Sequence, residues 1–350
     1  MRVYARLVYP FVSLLDAELS HNLAVGLLQN AQELGSGQTL LAYVAGDVPS
    51  SPKIVAGLKF PNALGIAAGF DKDVRVASGL ASLGFGHIEV GTLTPSPQVG
   101  NPKPRIFRYK TQGALINRMG FPNCGVRAAL PRLRDLSEKP RDWILGVSLG
   151  KQKETELKDA ADDYNEVTRH VYLYSDYLAA NISSPNTPGL RELQSKNYIS
   201  DLLGKMQSES LRLARQKGIP ERPIFVKIAP DIDLDGLEQI IEAAVENGIT
   251  GVIATNTTRE RTNLPTSAQA QEGGMSGAPL HERSIEVVKQ VKKYAGSRLE
   301  IIGVGGVRTA ADVKNMLKAG ASVVQMYTGF IYEGPGTAGR ILRELNGTRG

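Results

Sequence analysis

The stretch Tyr177-Leu178-Ala179-Ala180-Asn181-Ile182-Ser183-Ser184-Pro185-Asn186-Thr187-Pro188-Gly189 passes from apolar to polar in one step. Its first residues have the character of a buried strand, and the rest that of a rigid polar loop. Pro185 and Pro188 limit backbone freedom in that loop. Asn181 and Asn186 each carry a donor and an acceptor, which suits a planar polar ligand, and Ser184 between them is a candidate base or nucleophile. Taken alone, an Asx/Ser turn at a strand end explains the same residues.

The same strand-then-loop unit recurs along the chain. Candidate strands lie at 63–67, 87–90, 144–149, 177–182, 224–229, 251–255, 301–304 and 322–326. Helical patterns separate most of them, as at 235–247 and 310–319. Eight such units predict an α/β fold, a TIM (β/α)8 barrel, better than an open sheet. The longest early gap, Gly91 to Trp143, holds the run Arg105–Lys110, the loop Asn117–Phe121 and one clear helix, Val126–Glu138. It predicts a small inserted hairpin over the barrel mouth.

Residues 1–45 differ from the rest. Leu7, Phe11, Leu14 and Leu15 recur at helical spacing, as do Leu19, Leu23 and Leu27, and Asp16 is placed to cap a second helix. The pattern predicts two short amphipathic helices, then a loop through Gly35, Gly37, Pro49 and Pro52. Two readings stand: a helical cap packed on the main domain, and a hairpin lying on a membrane surface. The expected organisation is an N-terminal segment 1–45 and a barrel domain 46–350.

Composition narrows the function classes. The formal net charge is +6, from 41 basic and 35 acidic residues, which fits an anionic ligand or an anionic membrane surface. No basic run carries interleaved aromatics, so nucleic acid is not an expected partner. The single cysteine, Cys124, excludes an intrachain disulfide and fits a reducing compartment. The four His are not paired at ligand spacing, so no metal site is expected. No dinucleotide fingerprint is present; Gly84-Phe85-Gly86 does not make one.

In a barrel the chemistry sits at the C-terminal ends of the strands. Here those ends are Ala68-Gly69-Phe70-Asp71-Lys72, Gly91-Thr92, Ser148-Leu149-Gly150-Lys151, the Asn181 loop, Lys227, Thr255-Asn256-Thr257, Gly303-Val304-Gly305-Gly306 and Tyr327-Thr328-Gly329. Gly305-Gly306 and Thr328-Gly329 follow the last two strands, where barrels commonly hold phosphate. Lys227 interrupts an apolar strand, so it needs an anionic partner: an electron-rich ring or a buried structural acid. Lys72, Asn117, Asn181, Asn186, Asn256 and Thr257 together suit a small planar acid.

These blocks, with Asn117-Arg118-Met119-Gly120-Phe121 and Gly273–Gly277, closely resemble the dihydroorotate dehydrogenase family. Ser184 and the N-terminal helices resemble its class 2, the quinone-reducing, membrane-associated branch. The resemblance implies oxidation of (S)-dihydroorotate to orotate in pyrimidine synthesis. It implies one FMN per chain, with a membrane quinone as the final electron acceptor. It implies FMN contacts from Ala68, Gly69, Thr92, Ser148, Asn181, Lys227, Thr255, Gly277, Gly305, Gly306, Tyr327 and Thr328. Substrate contacts would come from Lys72, Asn117, Arg118, Met119, Gly120, Phe121, Asn181, Asn186, Asn256 and Thr257. Ser184 would be the base that removes the C5 proton, with Thr187 and Phe121 organising the proton path. His21, Arg108 and Tyr327 would border the quinone site. The implied location is peripheral, on the cytoplasmic face of the inner membrane. One position departs from the family, which usually carries Asn where this chain has Ser148. Two alternatives stand beside this reading: a soluble relative that uses fumarate or a nicotinamide, and a barrel that binds flavin or orotate without turnover.

Overall fold

The computed structural model describes residues 4–187 and 189–347; Pro188 of the polar loop lies outside them. Eight parallel strands close into a barrel, in chain order: Leu64–Ile66, His87–Leu93, Ile144–Leu149, Tyr177–Asn181, Ile224–Ile228, Gly251–Ala254, Glu300–Val304 and Val323–Met326. The last strand closes on the first through the pair Val324 and Leu64. Every strand falls where the sequence predicts one, and the fold is the predicted TIM barrel.

The helices outside it start on local signals. Asp233 accepts the Gly236 N–H at 2.8 Å and opens Leu234–Glu246, which buries Leu237, Ile240, Ile241 and Ala244. Thr309 and Asp312 form a reciprocal capping box for Ala310–Ala319, with bonds of 3.2 and 2.8 Å.

Inside the barrel, side chains alternate in layers. The floor is apolar: Phe225, Ile253, Ile302 and Val323 pack with Phe60, which a hairpin, Lys53–Val55 and Leu58–Phe60, brings in from below. The sequence reading did not foresee this hairpin. Phe60 stands edge-on to His87 at 5.1 Å between ring centroids. Burial pushes the His87 pKa down to about 3, so the ring is neutral there. Above the floor lies a polar layer of Glu89, Tyr177, Lys227 and Gln325.

Over the mouth lies the predicted hairpin, Ile106–Tyr109 with Ala114–Asn117. A third strand, Gly274–Gly277, joins it and was not predicted. Gly-Met-Ser-Gly has little intrinsic strand preference, and pairing with the hairpin supplies it.

At the N-terminus, helical turns over Tyr4–Val8 and Tyr9–Val12 precede the helix Ala17–Glu33, which Asp16 caps as predicted. Gly37 lies at the start of a further helix, Gly37–Ala45, not in the predicted loop. Contacts across its apolar face decide this: Leu41 and Ala45 are buried. The long helix docks through polar links. Glu18 accepts two bonds from Arg105, at 2.6 and 3.0 Å. Gln32 donates to the Arg75 carbonyl at 2.6 Å and accepts the Gly79 N–H at 2.8 Å. Phe11 and Leu14 stay on the outer face, 73% and 83% exposed, and Leu27, 71% exposed, sits at the rim of the space beneath. Among the described residues, no helix is long and apolar enough to cross a membrane.

Candidate active site

A cavity of about 660 Å³ fills the space between the strand C-termini and the N-terminal helices. That is within the range of small-molecule sites. Its inner end carries most of the predicted residues: Lys72, Asn117, Asn181, Ser184, Asn186, Lys227, Asn256 and Thr257. Ala68, Gly69, Thr92, Thr255, Gly277, Gly305, Gly306, Tyr327 and Thr328 line the same space, as do Met119, Gly120 and Phe121. Its outer end runs between Tyr9, Val12, Leu23, Ala24 and Leu27, with His21 and Arg108 on the wall. Lysine, arginine and histidine line it, and among the described residues no Asp or Glu does. The site therefore favours an anionic ligand.

The amides form two connected pairs. Asn186 donates to Asn117 Oδ1 at 3.1 Å, and Asn256 donates to Asn181 Oδ1 at 3.2 Å. Ser183 and Asn256 are linked at 3.0 Å, which ties the fourth strand's loop to the sixth. Arg191 closes the same junction. It donates to the Ser183 carbonyl at 3.2 Å, to the Thr257 carbonyl at 2.9 Å and to Asp231 at 2.6 Å. Ser184 Oγ accepts the Asn186 N–H at 3.2 Å and is almost fully buried. Thr187 does not line the cavity; its buried Oγ1 has no hydrogen-bond partner among the described residues.

Lys227 points up from the polar layer. It donates to Glu89 Oε1 at 3.0 Å, while Tyr177 and Gln325 donate to Oε2 at 3.1 and 3.0 Å. The anionic partner that the sequence demanded for Lys227 is thus Glu89. An ammonium has three donors, and Lys227 also lines the cavity, so it can hold Glu89 and still donate to a ligand above. Sequence reasoning assigned Glu89 no role. Its signal was an acid within the apolar run His87–Leu93, complementary to Lys227.

Two predicted contacts lie elsewhere. Arg118 points away, donating to the Pro104 carbonyl at 3.1 Å and to Glu272 at 3.2 Å. Ser148 lies behind the wall. Its hydroxyl pairs with Thr92 Oγ1 at 2.9 Å, and Thr92 also accepts from Asn181 at 3.0 Å. Arg108 is occupied in part by the N-terminal segment: it donates to the carbonyls of Val12 at 3.4 Å, Ser13 at 3.3 Å and Leu15.

At the far side, the backbone comes close. Gly305 and Gly306 have φ of +135° and +66°, and a Cβ on either would strike Ser284 or His281. His281 Nδ1 meets the Gly305 carbonyl at 3.0 Å and so fixes the turn. Ser276 and Thr328 pair their hydroxyls at 2.8 Å beside it. Bare backbone and two hydroxyls suit a phosphate.

Known proteins resemble this chain along most of its length. Residues 52–348 match the family model described as dihydroorotate dehydrogenase. A protein named dihydroorotate dehydrogenase (quinone) from Kocuria rhizophila is 44% identical, covering 99% of this chain and 98% of its own. One of the same name from Methylococcus capsulatus is 44% identical over 97% of this chain and 98% of its own. The crystal structure of DHODH from Eimeria tenella in complex with ferulenol superposes with a TM-score of 0.83 at 36% identity, covering 94% of this chain and 90% of that one. The chain belongs to the dihydroorotate dehydrogenase family.

Proposed function

We propose that the protein oxidises (S)-dihydroorotate to orotate and passes the electrons to a quinone. The observation that carries this is the continuity of one cavity. Its inner end holds Ser184, Lys72 and the two amide pairs, and its outer end opens among apolar residues of the N-terminal helices. A small polar acid and a greasy acceptor thus have different ends of one cavity.

FMN fits the space between them. Gly305, Gly306, Gly277 and Thr328 would hold its phosphate, and Lys227, Thr92, Asn181 and Thr255 would meet its ring. Ala68, Gly69 and Tyr327 would pack against it, with Ser148 supporting Thr92 from behind. Bound there, FMN would supply a two-electron acceptor facing the substrate. Lys72 and the amides of Asn117, Asn181, Asn186 and Asn256 orient the substrate. They stabilise the charge that develops as its ring loses a proton. Ser184 Oγ takes the C5 proton as C6 gives up hydride, and the C5–C6 double bond forms. A serine hydroxyl is a weak base near neutral pH, so the site must be closed and the proton must leave. The unpartnered Thr187 hydroxyl offers the next acceptor, reached through a water, and Phe121 screens the path from solvent.

His21, Arg108 and Tyr327 border the quinone's approach in this reading. The segment 1–45 is its entrance, and the exposed Phe11, Leu14 and Leu27 rest in a membrane surface. The protein is peripheral, and its free thiol suits the reducing, cytoplasmic face. Steady-state turnover with a panel of acceptors tests the assignment. Quinones should support turnover and fumarate or nicotinamides should not. The reverse order of preference would assign the chain to a soluble branch.

A further inference from the structure

We infer that His21, on the N-terminal helix, is a positioning residue for the substrate half of the reaction, because its Nε2 anchors the Lys72 ammonium 3.3 Å away. This rests on the reading that Lys72 orients the substrate.

Lys72 has two places to go. It lines the main cavity, and it also lines a second, polar cavity of about 350 Å³ on its other side, bounded by Glu18, Asn22, Asp73, Arg105 and Cys124. Asp73 and Glu18 attract the ammonium toward that side. Four rotatable bonds give lysine the freedom to follow them. His21 lines both cavities and stands on the partition.

The imidazole is suited to hold the amine. Burial first, then Lys72 and Arg75, push the His21 pKa down to about 3, so the ring is neutral and Nε2 can accept. Its orientation is fixed by Phe70, edge-on at 5.2 Å, and Phe70 is itself packed on Phe330 at 5.2 Å. The helix is fixed one turn earlier by the Glu18–Arg105 pair. One of the three ammonium protons is then spent on His21, and the other two are free for the main cavity. The N-terminal helix therefore completes the substrate site as well as bordering the acceptor's approach.

Calorimetric titration of the holoenzyme with orotate tests this in a double-mutant cycle. His21→Leu should weaken orotate about tenfold, the scale of one hydrogen bond to a charged group. His21→Gln, whose amide oxygen can reach the Nε2 position, should recover most of the loss, which a folding defect would not allow. In a Lys72→Met background, His21→Leu should have almost no further effect. An equal loss with and without Lys72 would overturn the inference, as would unchanged affinity in His21→Leu. Failure of the parent protein to bind orotate would instead overturn the substrate assignment, and the inference with it.

Discussion

Lys227 and Glu89 form an ion pair of 3.0 Å inside the barrel, directly beneath the candidate active-site cavity, with both side chains at most 5% exposed. Tyr177 and Gln325 complete the carboxylate's shell. A buried ion pair is costly to break from one side, because the survivor remains charged and unpaired. Glu89→Gln is expected to destabilise the fold by about 3 kcal/mol. Adding Lys227→Met should restore part of that loss. Urea unfolding of the single and double variants checks it; simple additivity would mean the two residues act independently.

Ser184→Ala should slow the reduction of the enzyme by dihydroorotate by about 10² or more, the usual contribution of a general base. Orotate binding should be largely kept. Ser184→Cys should keep part of the rate and move its pH dependence downward, since a thiol ionises more readily. Stopped-flow reduction reads both variants. A near-normal rate in Ser184→Ala would remove the hydroxyl from the mechanism.

Burial, aided by Arg105, brings the Lys72 pKa down to about 8, against the opposing pull of Asp73, Glu18 and Asp71. Below that pH the free enzyme already carries the ammonium, and an anionic ligand binds without proton uptake. Above it, binding must take up a proton. Orotate affinity should therefore be flat toward neutral pH and fall above it, by at most about tenfold per pH unit. Lys72→Met should abolish the slope. A constant dissociation constant across this range in the parent protein would contradict a contact between the Lys72 ammonium and the bound anion.

Phe11 and Leu14 lie outside the cavity wall and are the most exposed apolar residues of the first helical turns. The double substitution Phe11→Glu with Leu14→Glu should abolish flotation with anionic liposomes and raise the KM for a long-chain quinone in vesicles. Turnover with a soluble dye should persist. Loss of both activities together would make these turns a structural cap.

The barrel was legible because each strand is a short apolar run closed by Gly, Asn, Thr or, after the fifth, Pro230, and eight such units leave few topologies. The site was legible where chemistry requires a residue type in an unusual place: Lys227 in an apolar strand, Ser184 between two amides. Which way each side chain faces was not. Strands buried on both faces read as continuous apolar runs, so nothing local says that Glu89 faces inward, or that Ser148 supports Thr92 from behind. The outward turn of Arg118 and the third mouth strand depend on partners more than 150 residues away in the chain. The Lys72–His21 contact likewise joins the N-terminal helix to the first barrel loop, and no local pattern encodes it.

The visible spectrum of the purified protein, recorded without oxygen before and after dihydroorotate, tests the assigned chemistry most directly. A yellow flavin spectrum should bleach on adding dihydroorotate and return on adding quinone. A colourless protein, or a flavin spectrum indifferent to dihydroorotate, would contradict it.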